Sequence, residues 1–359
     1  MKQILLITLL FCQSIAFGQT IFRVNNTPGI TGVNVYTNLQ DAHDAASDGD
    51  IIYVEPSSEE YSPATLTKKL TIIGNGYFLQ ENEIEIEDNL ESRISSITLP
   101  YNEGNPTLNA SNSTFYGLTI GTISADRISG VLVERCEVID LKTGSYSGAC
   151  SAWTIKKCYV YNLYGSQTSF YLSSNFSIIN NIIRAVLAGY SFSTIANNTF
   201  GFVSGNSMGA IKNSIMSNNI MIAGSCLESE GGCNHSPDYG PSNSISNNIV
   251  VFDDEGGTKV PVYNLPNDNG NISGEDLLST FLISNPMFIA SRDSDLQLAV
   301  NSPAKGIGTG GVDAGAFGGS DPYVISGQIP FPIINNFITT GVGNSAVPLN
   351  INITITGNN

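Results

Sequence analysis

The chain has 359 residues, and its 15 Lys and Arg against 31 Asp and Glu give a formal net charge of −16. Such a chain repels nucleic acid and anionic membrane surface, so neither is an expected partner. Only 13% of the residues are charged while 41% are apolar, enough for one long core.

Met1-Lys2 opens with a positive charge, Ile4 to Phe11 form a short apolar stretch, and Ala16-Phe17-Gly18 offer small residues for cleavage. The pattern predicts a secretory signal over residues 1–18, cut before Gln19 and too short to span a membrane. Cys12 raises a lipoprotein alternative, which the bulky Phe11 before it suits badly. No later apolar run is long enough for a transmembrane segment, so the mature chain is expected to be secreted or at the outer cell surface.

Asn38 to Ala46 carry an apolar helical stripe of Leu39, Ala42, Ala45 and Ala46, with Gly49 as a stop signal. His43 is expected to make a cap contact in this helix. Glu81, Glu83, Glu85, Glu87 and Asp88 alternate with Ile84 and Ile86. They are read as an exposed strand face first and as a cation site second, which leaves calcium open as a cofactor; no other cofactor is expected.

A repeat dominates the middle of the chain. Asn180-Asn181, Asn197-Asn198, Asn218-Asn219 and Asn247-Asn248 recur, and Arg135-Cys136 and Lys157-Cys158 fit the same frame. With the second residue of each pair as position zero, the series is Cys136, Cys158, Asn181, Asn198, Asn219, Asn248. Leu118 extends it one step back. Position −3 is apolar throughout (Val133, Ile155, Ile178, Ile195, Met216, Ile245), and so is +2 (Val138, Val160, Ile183, Phe200, Met221, Val250). Period-two alternation on each side marks short strands with one buried face. The alternation slips between −3 and zero, which puts a tight corner at −2 and −1, where Asn tolerates the left-handed conformation. Position zero then points inward as a ladder in which each amide bonds the next coil. Strands turned by corners and repeated about every 20 residues describe a solenoid.

These coils, with the opening segment Asn38–Val54 and the closing segments Asn285-Pro286-Met287-Phe288, Asp295–Leu298, Ser302-Pro303-Ala304 and Asp313–Phe317, resemble the right-handed parallel β-helix proteins. Pectate-lyase-like enzymes are the catalytic members of that group. The resemblance implies an all-β solenoid over residues 19–320 with a short N-terminal capping helix, and leaves 321–359 as a C-terminal extension that packs on the helix or forms an edge strand. It implies no single activity, because the scaffold carries lyases, hydrolases, adhesins and surface proteins.

Chemistry-bearing residues are sparse. Losing Cys12 with the signal leaves Cys136, Cys150, Cys158, Cys226 and Cys233. Cys226 and Cys233 flank a polar loop and are the preferred disulfide, whereas stacked Cys136 and Cys158 are read as buried thiols. Asp253-Asp254 resemble the carboxylate pair of hydrolases on this scaffold, but neighbours on a strand face opposite ways, and the Gly-His-Gly and Arg-x-Lys segments of that group are missing. His235, near Asp238 and Tyr239, reads as surface decoration. Lyase chemistry would draw on Arg135, Lys156, Lys157 or Arg184. Arg135 and Lys157 share corner positions and form either a cationic edge for an acidic sugar or an ordinary solvated edge.

At outward positions +1 and +3 stand Tyr159 and Tyr161, then Ile182 and Arg184, with Tyr164 and Tyr190 following. Tyr159, Tyr161 and Arg184 are the candidate carbohydrate-binding set, unless a loop or the tail covers them. Ile182, Ile220 and Ile249 form an outward apolar row that something must cover, and the segment from Tyr323 to Ile355 is the candidate. Function divides three ways: an extracellular polysaccharide-binding solenoid that does not cleave, a polysaccharide lyase or glycoside hydrolase acting on an acidic glycan, or a structural surface component. The first is the expectation.

Overall fold

The computed structural model describes residues 18–84, 89–104, 109–144, 148–165, 172–201, 208–223, 242–252, 269–282, 292–329, 332–339, 349 and 351–356. Among them run two long parallel sheets, one of 11 strands and one of 12, with successive coils adding strands in order. The protein is a parallel β-helix, nearly all β.

The alignment of the repeats is reproduced strand by strand. In the sheet before the corner, Val133, Ile155, Ile178, Ile195, Met216 and Ile245 stand in one register, each paired with the next. In the sheet after it, Val138, Val160, Ile183, Phe200, Met221 and Val250 do the same. All of these side chains are buried in one continuous core.

The corner has the conformation that the slip in alternation requires. Arg135, Lys157, Asn180, Asn197, Asn218 and Asn247 all have φ between 53° and 57°. Gly117 takes the same place in the Leu118 coil at 58°, with no Cβ to strain. Just past the corner, Asn181, Asn198, Asn219 and Asn248 are wholly buried. Each Oδ1 accepts the backbone N–H of position zero one coil earlier: Asn181 from Cys158 (2.9 Å), Asn198 from Asn181 (3.0 Å), Asn219 from Asn198 (2.9 Å) and Asn248 from Asn219 (3.0 Å). Each Nδ2 donates to a strand carbonyl of an earlier coil, as Asn219 does to Ile195 at 2.9 Å. Asn271 adds a rung beyond the predicted series, accepting from Asn248 at 2.9 Å.

A second corner was not read from the sequence. Gly130, Ala152, Asn175, Phe192 and Asn213 also have positive φ, from 50° to 72°, and lie just before the first sheet. Ser193, Ser214 and Asn243 follow with a smaller ladder: Ser193 Oγ accepts the Phe176 N–H (3.1 Å), Ser214 Oγ that of Ser193 (3.0 Å) and Asn243 Oδ1 that of Ser214 (2.8 Å).

A helix at Leu39–Ala45 caps the first coil, with Asn38 accepting the Asp41 N–H at its N-terminus. Its buried face is Leu39, Ala42, His43 and Ala46, while Ala45, expected in the stripe, is exposed. His43 makes the cap contact, its Nε2 accepting the Thr67 N–H at 3.0 Å. Residues 79–83 form a turn, so Glu81 and Glu83 do not belong to a strand face; Glu85, Glu87 and Asp88 lie outside the described residues.

The outward apolar row is covered, but by a different segment from the one expected. Ile182, Ile220 and Ile249 are buried against Leu277, Phe281, Leu296, Ala304, Ala314, Ala316 and Tyr323. Of the expected tail, residues 323–329 belong to this cover, with Tyr323 in the apolar cluster. Ile333–Thr339 and Ile351–Thr356 instead pair with each other as an antiparallel hairpin, with Ile351, Ile353 and Ile355 exposed. The covering chain, residues 292–329, is called the strap below. It is compact with small residues, so that it fits close against the sheet, whereas the hairpin satisfies its own backbone.

Candidate functional site

The strap runs back along the stack, and the outward side chains of the left-handed corner hold it. Asn218 Oδ1 accepts the Thr309 N–H (3.0 Å), and Asn197 Nδ2 donates to Asp313 O (3.2 Å). Asn180 Nδ2 donates to Ala316 O (2.9 Å) and Gly318 O (2.7 Å), Lys157 pairs with Asp321, and Arg135 donates to Gln328 O. The −1 column therefore serves twice, as a conformational corner and as a docking rail.

This placement decides the fate of the cationic edge. Arg135 and Lys157 are buried under the strap, and Lys156 reaches Glu134 at 3.2 Å and Asp321 at 3.8 Å. They are neither a solvated edge nor an open site for an acidic sugar. Burial works to raise the Asp321 carboxyl, but Lys157 and Lys156 outweigh it and hold it below the usual carboxylate range.

Tyr159, Tyr161 and Arg184 come together, with different exposures. Tyr159 is buried, its ring met edge-on by Phe78 at 5.0 Å and its hydroxyl bonded by Arg184 Nη1. It therefore offers no stacking face to a ligand. Tyr161 is 45% exposed, with the Arg184 guanidinium 5.7 Å from its ring centroid. A bulge builds this geometry: Val160 pairs with Ile183 but Asn162 with Val186, so Arg184 and Ala185 stand opposite Tyr161 alone. A bulge re-aims the side chains beside it. Gly201 lies so close that a Cβ there would come within 2.8 Å of Arg184 O. Ile139, 52% exposed, is one coil before Tyr161 on the same column. Asn162 donates to Asp140 at 2.8 Å and Lys142 lies 3.3 Å from Asp140, completing a flat face of one aromatic ring, one alkyl group and paired polar groups. Tyr190 does not join it: the ring is buried against Phe176, with its hydroxyl 3.0 Å from Thr143 Oγ1.

A group of carboxyls near the Tyr77–Phe78 turn is not visible in the sequence pattern. Glu137 occupies the +1 column between Thr119 and Tyr159. Burial first, then the negative charges of Glu91, Glu81 and Asp293, push its carboxyl up to about 8, with Arg93 opposing. Burial also raises Glu91, which accepts the Phe78 N–H (2.7 Å) and the Thr119 hydroxyl (3.1 Å). A carboxylic acid kept protonated at neutral pH is the form a general acid needs. The signal lay in Glu137 interrupting a column that is apolar in most later coils, but only the fold brings it near Glu91, Glu81 and Asp293.

Cys136, Cys150 and Cys158 are buried free thiols, all raised by burial, Cys136 and Cys150 to about 12, so they are inert packing groups. Among the described residues, no three His, Cys, Asp or Glu side chains are grouped to hold a metal ion. Cys226, Cys233, His235, Asp238, Tyr239, Asp253 and Asp254 lie outside the described residues, as do the signal residues 1–17. Among the described residues, no helix is long and apolar enough to cross a membrane. No protein family matches the chain, and no curated protein is significantly similar to it.

Proposed function

We propose that this β-helix is a secreted or cell-surface protein that binds extracellular polysaccharide without cleaving it, on the outward face around Tyr161 and Arg184. The observation that carries the reading is the exposed Tyr161 ring beside the Arg184 guanidinium, on the outward face of the sheet. An exposed ring stacks on the apolar face of a sugar, and neighbouring polar groups bond its hydroxyls. Coils about 4.8 Å apart present a repeating surface to a repeating polymer, so weak contacts add along the chain. The test is retention of the mature protein on columns of immobilised pectin, alginate and glycosaminoglycan. Tyr161→Ala is expected to lose retention while melting at the same temperature, and equal retention would refute this face.

A second reading, cleavage of a glycan, is supported by Glu137, whose carboxyl is raised by burial and by the charge of Glu91. New reducing ends, or the ultraviolet band of unsaturated uronates, appearing with the wild type but not with Glu137→Gln would favour it over binding alone.

A further inference from the structure

Between the turn at 79–83 and the strap lies a cavity of about 750 Å3, within the usual size of small-molecule sites. Its back wall is fixed. Asp293, fully buried, accepts the Tyr323 hydroxyl (2.9 Å), the Ser326 N–H (2.7 Å) and the Asn82 amide (2.6 Å), and Ser294 donates to Asn82 Oδ1 (2.6 Å). Those groups are fully used, so they hold shape and leave recognition to others. Three lining side chains keep unused polar capacity among the described residues: the Gln328 amide, Gln297 Oε1 and Arg292 Nη2. Gln297 spends only its Nε2, on Ser294 O at 3.1 Å, and Arg292 spends Nε on Asp295 (3.2 Å) and Nη1 on Glu81 O (2.7 Å). The half-buried Phe317 ring, held edge-on by Tyr323 at 5.3 Å, lines the cavity together with Ile84 and Ile325.

We infer that this cavity is a second saccharide site, separate from the Tyr161 face, which takes the end of an uncharged sugar chain. The inference rests on the reading that the protein binds glycan. An aromatic ring with aliphatic neighbours suits the apolar face of a pyranose, while two amides and one guanidinium N–H suit its hydroxyls. Charge selects a neutral ligand. Asp295 balances Arg292, and the chain as a whole carries −16, so a uronate gains no net attraction here.

The experiment titrates the full mature chain by calorimetry with maltotriose, cellotriose and mannotriose, and with trigalacturonate as the acidic counterpart. At least one neutral trisaccharide is expected to bind, trigalacturonate to bind at least tenfold more weakly, and Gln328→Ala and Phe317→Ala each to weaken binding by tenfold or more. Gln328→Ala leaves in place the backbone carbonyl that holds Arg135, so it separates recognition from folding should Phe317→Ala unseat the strap. Tyr161→Ala, in parallel, is expected to lose polymer retention but keep trisaccharide affinity. Absence of binding by all three neutral probes, preference for trigalacturonate, or unchanged affinity in Gln328→Ala would each overturn the cavity site. Retention of polymer by Tyr161→Ala would overturn the face alone.

Discussion

Two columns of asparagines run side by side down this molecule and do different work. Asn181, Asn198, Asn219 and Asn248 point inward, are wholly buried, and tie each coil to the next through amide and backbone bonds. Asn180, Asn197 and Asn218, one residue earlier, turn the corner in the left-handed conformation and point outward to hold the strap. One residue type at adjacent positions is thus divided by a single change of backbone hand. The inner column makes a solenoid of the chain, and the outer column decides which part of its surface stays open.

The difference is sharpest at Asn219. Asn219→Leu removes the acceptor of the Asn198 N–H and amide and the donor to Ile195 O, all buried. A loss of about 3 kcal/mol or more is expected, read by chemical denaturation, because each orphaned group bears its own desolvation cost. A loss under about 1 kcal/mol would mean that the ladder is not what binds the coils.

Asn180→Ala should cost less, about 1–2 kcal/mol, since its partners Ala316 O and Gly318 O lie at the strap rather than in the core. Hydrogen exchange is expected to quicken in residues 309–329 and to stay slow in the coils. Equal acceleration everywhere would erase the distinction between the columns.

Glu137 reports on the cover from outside the corner. Its folded value, about 8, lies above its ordinary 4.5, so the folded state holds the proton more tightly than the unfolded chain. The stability it contributes is complete below pH 4.5 and is lost as the pH rises through 8. Glu137→Gln is therefore expected to raise the melting temperature relative to wild type at pH 9 and to leave it unchanged at pH 4. A gain independent of pH would show that the carboxyl is not buried by the Tyr77–Phe78 turn.

The smallest effect belongs to Lys157 and Asp321. Asp321 is 56% exposed, so Asp321→Asn should cost no more than about 1 kcal/mol, and the cost should shrink in 1 M salt. A large, salt-independent loss would place the strap's anchorage in this pair rather than in the amides.

The frame of the solenoid was legible in the residues. Every −3 and +2 position falls in the register read from the repeat, because a coil that buries one side chain out of step exposes its neighbours. The second corner was not legible: Gly130, Ala152 and Phe192 interrupt the asparagines at 175 and 213, so no one side-chain type marks the shared backbone conformation. At the candidate site, the sequence grouped Tyr159, Tyr161 and Arg184 but could not separate them. Phe78, 81 residues before Tyr159, covers one tyrosine and leaves the other open.

By itself the sequence determined what repeats: coil length, the handed corner, the inward amides and the apolar pairs, since these depend on neighbours fixed by local spacing. Tertiary structure alone decided what covers what. The strap covered the outward isoleucines, buried Arg135 and Lys157, and set the Asp293 charge near Glu137, through contacts between residues as many as 193 positions apart. Burial changes the meaning of a side chain more than its identity does, and burial on an outward face is set by distant chain that no local pattern records.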